Sequence, residues 1–362
     1  MKGYAIPLVP GPVTVAPATR AAYGHDWGSP DLEPEFADLY RETAGMLGEI
    51  MGTRNGVVIA LGEAMVVLWG AIKSAVGPGD RVLSVSSGLY GAGFADMARV
   101  AGAEARTVDF PFDEVPDPER VVAAAREWRP TVVTMVHCET PCGTLTPVEA
   151  VGARLREVAP DALFIVDAVS SIGGAPLDTD RAGIDFCLLG SQKCLACLPD
   201  LGIVAVSERG WGRVEQVGYV GYDALAPFRH AVEERYFPHT HSWASVAALN
   251  AACRALLDEG IATAHARHAR VAQGWRDAAR ALGLELYPRR EEDCAPTVTA
   301  IKVPAGLDWP TLDRRLRERG MVVGGNYADL AGKVFRIGHM GTQATDDLLA
   351  RGSAALREAL AG

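Results

Sequence analysis

The sequence predicts an α/β protein, with one large, mostly parallel sheet and a smaller α/β domain at the C-terminus. Three observations carry this. Between about residues 57 and 206, short apolar runs alternate with amphipathic stretches of helical length, the pattern of strands joined by helical crossovers. Polar clusters fall just after three of those runs, where α/β sheets gather their sites. Beyond about residue 260 the texture changes to a shorter mixed set of elements.

The strands read, in order, "GVVIA", "RVLSV", "EARTVDF", "TVVTMVH", "ALFIVDAV", "DFCLLG" and "GIVAVS". Most lack polar alternation, as strands covered on both faces do. "HTHSWASVAALNAACRALLDEG" reads as a long helix leading out of this region. After it come a helix over 264–282, a strand "TVTAIKV", a helix "WPTLDRRLRERG", the runs "MVVGG" and "KVFRIGH", and a final helix. The expected division is an N-terminal segment over 1–20, a large domain over 21–259 and a small domain over 260–362.

The 362 residues, 49% hydrophobic and 22% charged, exceed one ordinary core and argue against disorder. A net charge of -10 argues against a nucleic-acid surface. The longest apolar run, "AMVVLWGAI", is shorter than the about 20 residues that span a bilayer. Pro7, Pro10, Pro12 and Pro17 break any signal-peptide helix at the start, so a cytoplasmic protein without membrane or nucleic-acid partners is expected. Seven cysteines, an odd number, fit reduced thiols; Cys194 and Cys197 form a CxxC without the second half of a zinc site. His265 and His268 read as surface residues of a helix.

Lys193 stands in "FCLLGSQKCLACLPDLG", where an apolar strand runs into a lysine. Burying a bare ammonium is costly. Asp167 ends the strand in "LFIVDAVSS" and needs a cation or donors to stay ionised. A lysine and an aspartate projecting from neighbouring strand ends are what pyridoxal phosphate requires, one for the Schiff base and one for the ring nitrogen. Leu61 and Gly62 turn into a helix starting near Glu63, whose N-terminal amides would hold a phosphate.

"GSQK", "DAVSS", "HCETPCGT" and "KVFRIGHMG", in the chain from "VPGPVTVAP" to "RIGHMG", resemble the class V aminotransferases of the fold type I pyridoxal phosphate enzymes, especially the alanine:glyoxylate and serine:glyoxylate group. The resemblance implies Lys193 as the Schiff-base lysine, Asp167 as the ring-nitrogen partner and Gln192 as a contact near the phosphate. It implies Tyr90 stacked on the ring, Thr140 beside the phenolic oxygen, and Glu63, Ala64 and Met65 at the phosphate turn. Thr240 matches a threonine reaching the phosphate from a second subunit, so a homodimer with shared sites is implied. Arg336 matches the clamp for the substrate carboxylate, a bidentate task suited to guanidinium.

The implied reaction moves an amino group from alanine or serine to glyoxylate or pyruvate, with pyridoxal 5'-phosphate as cofactor. Transamination of 2-aminoethylphosphonate, or a cysteine desulfurase-like lyase reaction, are the alternatives. The sequence departs from the resembled pattern at "GEAM", where an acid would repel a phosphate unless Glu63 points away, and at Asp200 in "LPDLG".

Overall fold

Across the large sheet the strands lie in the order Gly56–Leu61, Leu201–Val206, Phe186–Gly190, Leu163–Asp167, Val132–Val136, Arg81–Ser86 and Glu104–Asp109 in the computed structural model, which describes residues 3–362. These are the seven apolar runs named above. Leu201–Val206 is antiparallel to both of its neighbours, and the remaining pairs are parallel. The four strands Val132–Val136, Leu163–Asp167, Phe186–Gly190 and Leu201–Val206 are buried at every position. Helices cover both faces, so no polar alternation appears in those runs.

Side chains that cap helix ends mark where the chain enters several helices. Asp117, Ser207, Ser242, Asp308 and Thr345 each accept a hydrogen bond from a backbone N–H of the following first turn. The long helix Trp243–Glu259 stops at Gly260, and Ile261–Ala281 starts there. His268, expected on the surface, is fully buried. It shares one helix face with the buried Ala264, Val271 and Trp275, and both ring nitrogens are bonded, Nδ1 with Ala264 O (2.7 Å) and Nε2 with Gly341 N–H (2.9 Å). The 3.6-residue period that places Val271 and Trp275 inside carries His268 with them.

In the C-terminal region Val298–Lys302 pairs antiparallel with Val334–Gly338, beside the helices Trp309–Glu318 and Asp346–Ala361. The N-terminal strand Ile6–Leu8 pairs in parallel with Met321–Val323. Ile6 and Leu8 pack in one apolar cluster with Trp275, Leu312, Phe335, Ile337 and Leu356. The chain's start thus returns to its C-terminal region, which brings residues 9–13 to the mouth of the large sheet. No helix among the described residues is long and apolar enough to cross a membrane.

Candidate active site

Because six of the seven strands run the same way, Leu61, Ser86, Val136, Asp167 and Gly190 end at one edge of the sheet. The polar residues just beyond them therefore converge, as in other open α/β sheets. A cavity of about 600 Å³ opens there, and Glu63, Tyr90, Thr140, Gln192, Lys193 and Arg336 all line it.

Lys193 lies one turn beyond Phe186–Gly190, and its Nζ donates to Pro10 O at 2.7 Å. Burial and the nearby Arg336 charge pull its ammonium below the usual lysine range, against the opposing pull of Glu63 and Asp167. Gly11, at φ +89°, leaves the room this requires: a Cβ there would fall 2.6 Å from Lys193 Cδ. The sequence reading did not anticipate the "VPGP" segment as part of the site.

Asp167 ends its strand on the neighbour of the lysine strand. Its Oδ1 accepts from Val169 N–H at 2.9 Å. Burial raises it to about 6, offset by that bond and by Lys193, with Glu63 adding to the rise. Desolvation by itself would neutralise the group; a cation held against it keeps it charged.

Glu139 was not singled out from the sequence as a site residue. It is fully buried, and its carboxylate accepts from Gly91 N–H (2.7 Å) and Tyr90 N–H (3.3 Å) at the start of the helix Leu89–Val100. Burial pushes it up to about 7. Gly88 is needed for this contact, since a Cβ there would lie 2.4 Å from the Glu139 carboxyl carbon. Glu139 thereby positions Tyr90 at the cavity wall. Its only sequence signal is an acid within the polar cluster that follows an apolar strand.

Arg336 sits in Val334–Gly338, whose alternation sends Phe335 and Ile337 into the C-terminal core and Arg336 to the opposite face. It is 3% exposed, yet among the described residues no carboxylate pairs with it. Nε donates to Gly325 O (2.9 Å), its backbone is bonded both ways with Gly324, and the guanidinium lies 5.0 Å from the Tyr327 ring centroid. A desolvated, unpaired guanidinium on a cavity wall is an anion site in search of its anion.

Glu63 does not point away. It caps the helix Ala64–Ala75, with Oε2 accepting from Met65 N–H at 2.8 Å, and Oε1 accepts from Gln192 Nε2. Ala64 is buried behind it, and neither Ala64 nor Met65 lines the cavity. Asp200 belongs to a separate network, accepting from Ser245 Oγ (2.7 Å) and Tyr23 OH (3.3 Å); burial raises its carboxyl. Thr240 is exposed, bonded to Asp31 at 2.8 Å, and lies outside the cavity of its own chain.

For pyridoxal phosphate, the two ends of the cavity behave differently. The ring end fits, with a lysine of lowered basicity, a buried aspartate, an aromatic wall and the Thr140 hydroxyl. The phosphate end does not fit, because both donors that would receive the anion, Met65 N–H and Gln192 Nε2, are bonded to the Glu63 carboxylate.

A strand-end lysine, an aspartate on the adjacent strand and an unpaired arginine across one cavity define a fold type I enzyme of amino-group transfer. The chain belongs to the aminotransferase class-V family, whose model matches residues 28–329. That family comprises pyridoxal-phosphate-dependent transaminases. The chain is 32% identical to a pyridoxamine–pyruvate transaminase of Mesorhizobium japonicum over 94% of this chain and 87% of that one. It is 29% identical to a serine–glyoxylate aminotransferase of Methylorubrum extorquens, over 92% of this chain and 86% of that one. The crystal structure of an alanine–glyoxylate aminotransferase from a Nostoc species superposes with a TM-score of 0.94 at 30% identity, covering 99% of this chain and 96% of that one.

Proposed function

We propose that the chain transfers an amino group between a small donor, such as alanine or serine, and a small α-keto acid, glyoxylate or pyruvate. The observation that carries this is Arg336, buried without a carboxylate partner on the wall that Lys193 also lines. An α-carboxylate would pair with the guanidinium while its amino group faces Lys193.

A bound pyridoxal ring supplies the electron sink for a deprotonated carbon. The chain supplies the rest. Lys193, with its basicity lowered by burial and by Arg336, can hold and return a proton at the substrate carbon. Asp167 offers the negative charge that keeps a ring nitrogen protonated. Arg336 orients the carboxylate, and Tyr90 closes the wall.

The enzyme acts as a homodimer with shared sites. Thr240 supports this, since it lies outside its own cavity on a segment that also exposes the large side chains of Val220, Tyr222 and Tyr236. The site falls between a large domain over 21–259 and a small domain over 260–362, with residues 1–20 contributing Pro10 and Gly11. All seven cysteines are free thiols, which supports a cytoplasmic location.

The test loads purified protein with the ring, traps it with borohydride, and maps the label, expected on Lys193. On a separate, unreduced portion of the loaded protein, candidate donors are added one at a time while the visible absorption is followed. Alanine or serine should bleach it, and glyoxylate or pyruvate should restore it. Bleaching by 2-aminoethylphosphonate alone would replace the substrate reading, and sulfide or ammonia release without bleaching would replace the reaction.

A further inference from the structure

We infer that the ring this site turns over is the unphosphorylated one, and that pyridoxamine and pyridoxal pass through as substrate and product. The inference rests on the transaminase reading above and concerns which form of the ring that site accepts.

Hydrogen-bond polarity at the far end of the cavity carries it. Glu63 presents carboxylate oxygens, and a carboxylate only accepts. Gln192 is 2% exposed, and its Oε1 is buried with no hydrogen-bond partner. The amide orientation is set by its bond to Glu63, since only the Nε2 side can donate to the carboxylate. The group that faces this end is therefore the acceptor Glu63, while Gln192 Oε1 is buried towards Gly190.

A phosphate monoester carries about -1.5 to -2 charge near pH 7 and offers acceptor oxygens. Within its own chain it would meet the Glu63 carboxylate, with Met65 N–H and Gln192 Nε2 already engaged. The cations lining the cavity, Lys193 and Arg336, are engaged by the reaction itself. The hydroxymethyl group of the unphosphorylated ring brings one O–H donor, which the Glu63 carboxylate can accept. The helix N-terminus, ordinarily an anion site, already holds an anion from its own cap residue.

Retention follows from the same geometry. A phosphate would anchor the ring in every state of the cycle. Without it, the ring's covalent hold is its link to Lys193, and the amine form of the ring has no such link. Pyridoxamine can therefore enter and pyridoxal can leave. The exchange balances without an outside oxidant: the ring's aminomethyl carbon is oxidised by two electrons to an aldehyde. The keto carbon of pyruvate or glyoxylate takes those two electrons and the nitrogen, and its oxygen is replaced on the ring carbon through water.

The experiment strips the protein of any ring and titrates it separately with pyridoxal and with pyridoxal 5'-phosphate, reading the visible absorption of the lysine-bound ring. Pyridoxal should bind at least about 100-fold more tightly, the scale of one uncompensated charge contact in a partly shielded site. Pyridoxamine with pyruvate should yield pyridoxal and alanine in equal amounts, well beyond the amount of enzyme. Glu63→Ser should free Met65 N–H and Gln192 Nε2 and shift the preference to the phosphorylated ring. Glu63→Gln, which keeps the shape and removes the charge, guards against misfolding and should erase most of the preference. Wild-type protein that binds the phosphorylated ring as tightly as pyridoxal, or a preference unmoved in both folded variants, would overturn the inference. If the phosphorylated ring binds and alanine exchanges with glyoxylate on it, this inference fails while the transaminase reading stands. If pyridoxal binds preferentially but no keto acid takes up nitrogen, the transaminase reading fails.

Discussion

Replacing Arg336 with leucine isolates the carboxylate contact. Arg336 is 3% exposed and lacks a carboxylate partner of its own among the described residues, so a substrate carboxylate entering the cavity forms a desolvated pair with it. Removing one member of such a pair costs about 3 to 5 kcal/mol, which is roughly a 10²- to 10⁴-fold fall in kcat/KM for alanine. Loss of the Nε bond to Gly325 O leaves a carbonyl short of a donor. That loss adds about 1 to 3 kcal/mol of destabilisation, to be read separately by urea unfolding. The assay compares alanine with ethylamine, the same amine without its carboxylate, by the rate at which each bleaches the visible absorption. Because Arg336 also helps to lower Lys193, the variant's rates should reach their plateau at higher pH, and the comparison is made on that plateau. Alanine should lose its advantage while ethylamine is unchanged. Equal losses for the two amines would refute the reasoning and place Arg336 in the fold or in the tuning of Lys193. Arg336→Lys should fall between, since the charge remains and the planar fork does not.

Acid should weaken the ligand-free chain. Burial lowers His137, His241 and His268 to about 4 and His339 to about 3, from an ordinary 6.5. The unfolded chain thus takes up these protons first, and their contribution, complete above about pH 6.5, is lost as pH falls toward 4. Glu139, raised to about 7, and Asp167, raised to about 6, act in the opposite sense, easing as pH falls through those values. Four groups against two leave a net loss of a few kcal/mol, to order of magnitude, from pH 7 to 5. A urea midpoint that is flat or rising over that range would contradict this. For the shared site, mixing Lys193→Ala chains with Thr240→Ala chains should restore part of the activity that each lacks alone; a protein that sediments as an active monomer would rule it out.

The seven strands and the order of the site residues were legible in the sequence because they rest on local rules. Apolar runs bounded by turn residues identify buried strands, and a parallel sheet brings every strand's carboxyl end to one edge. Lys193 and Asp167 follow from that placement, while Tyr90 and Thr140 came from the resemblance carried by the motifs around them. Arg336 came from the resemblance, and the structure adds that Phe335 and Ile337 take the opposite face of its strand.

What only the tertiary structure decided are contacts between residues far apart in the chain. The carbonyl of Pro10 that receives Lys193, the amides at 90 and 91 that hold Glu139, and the Gln192 amide that turns Glu63 inward all join separate elements. His268 was misplaced although the helical period that buries Val271 and Trp275 carries it inward; what only the tertiary structure supplies is its Gly341 partner. An acid at a helix start reads identically whether it faces solvent or closes a phosphate cup. A side chain's direction is chosen by the partners that packing brings within hydrogen-bond reach, and no local period encodes those partners.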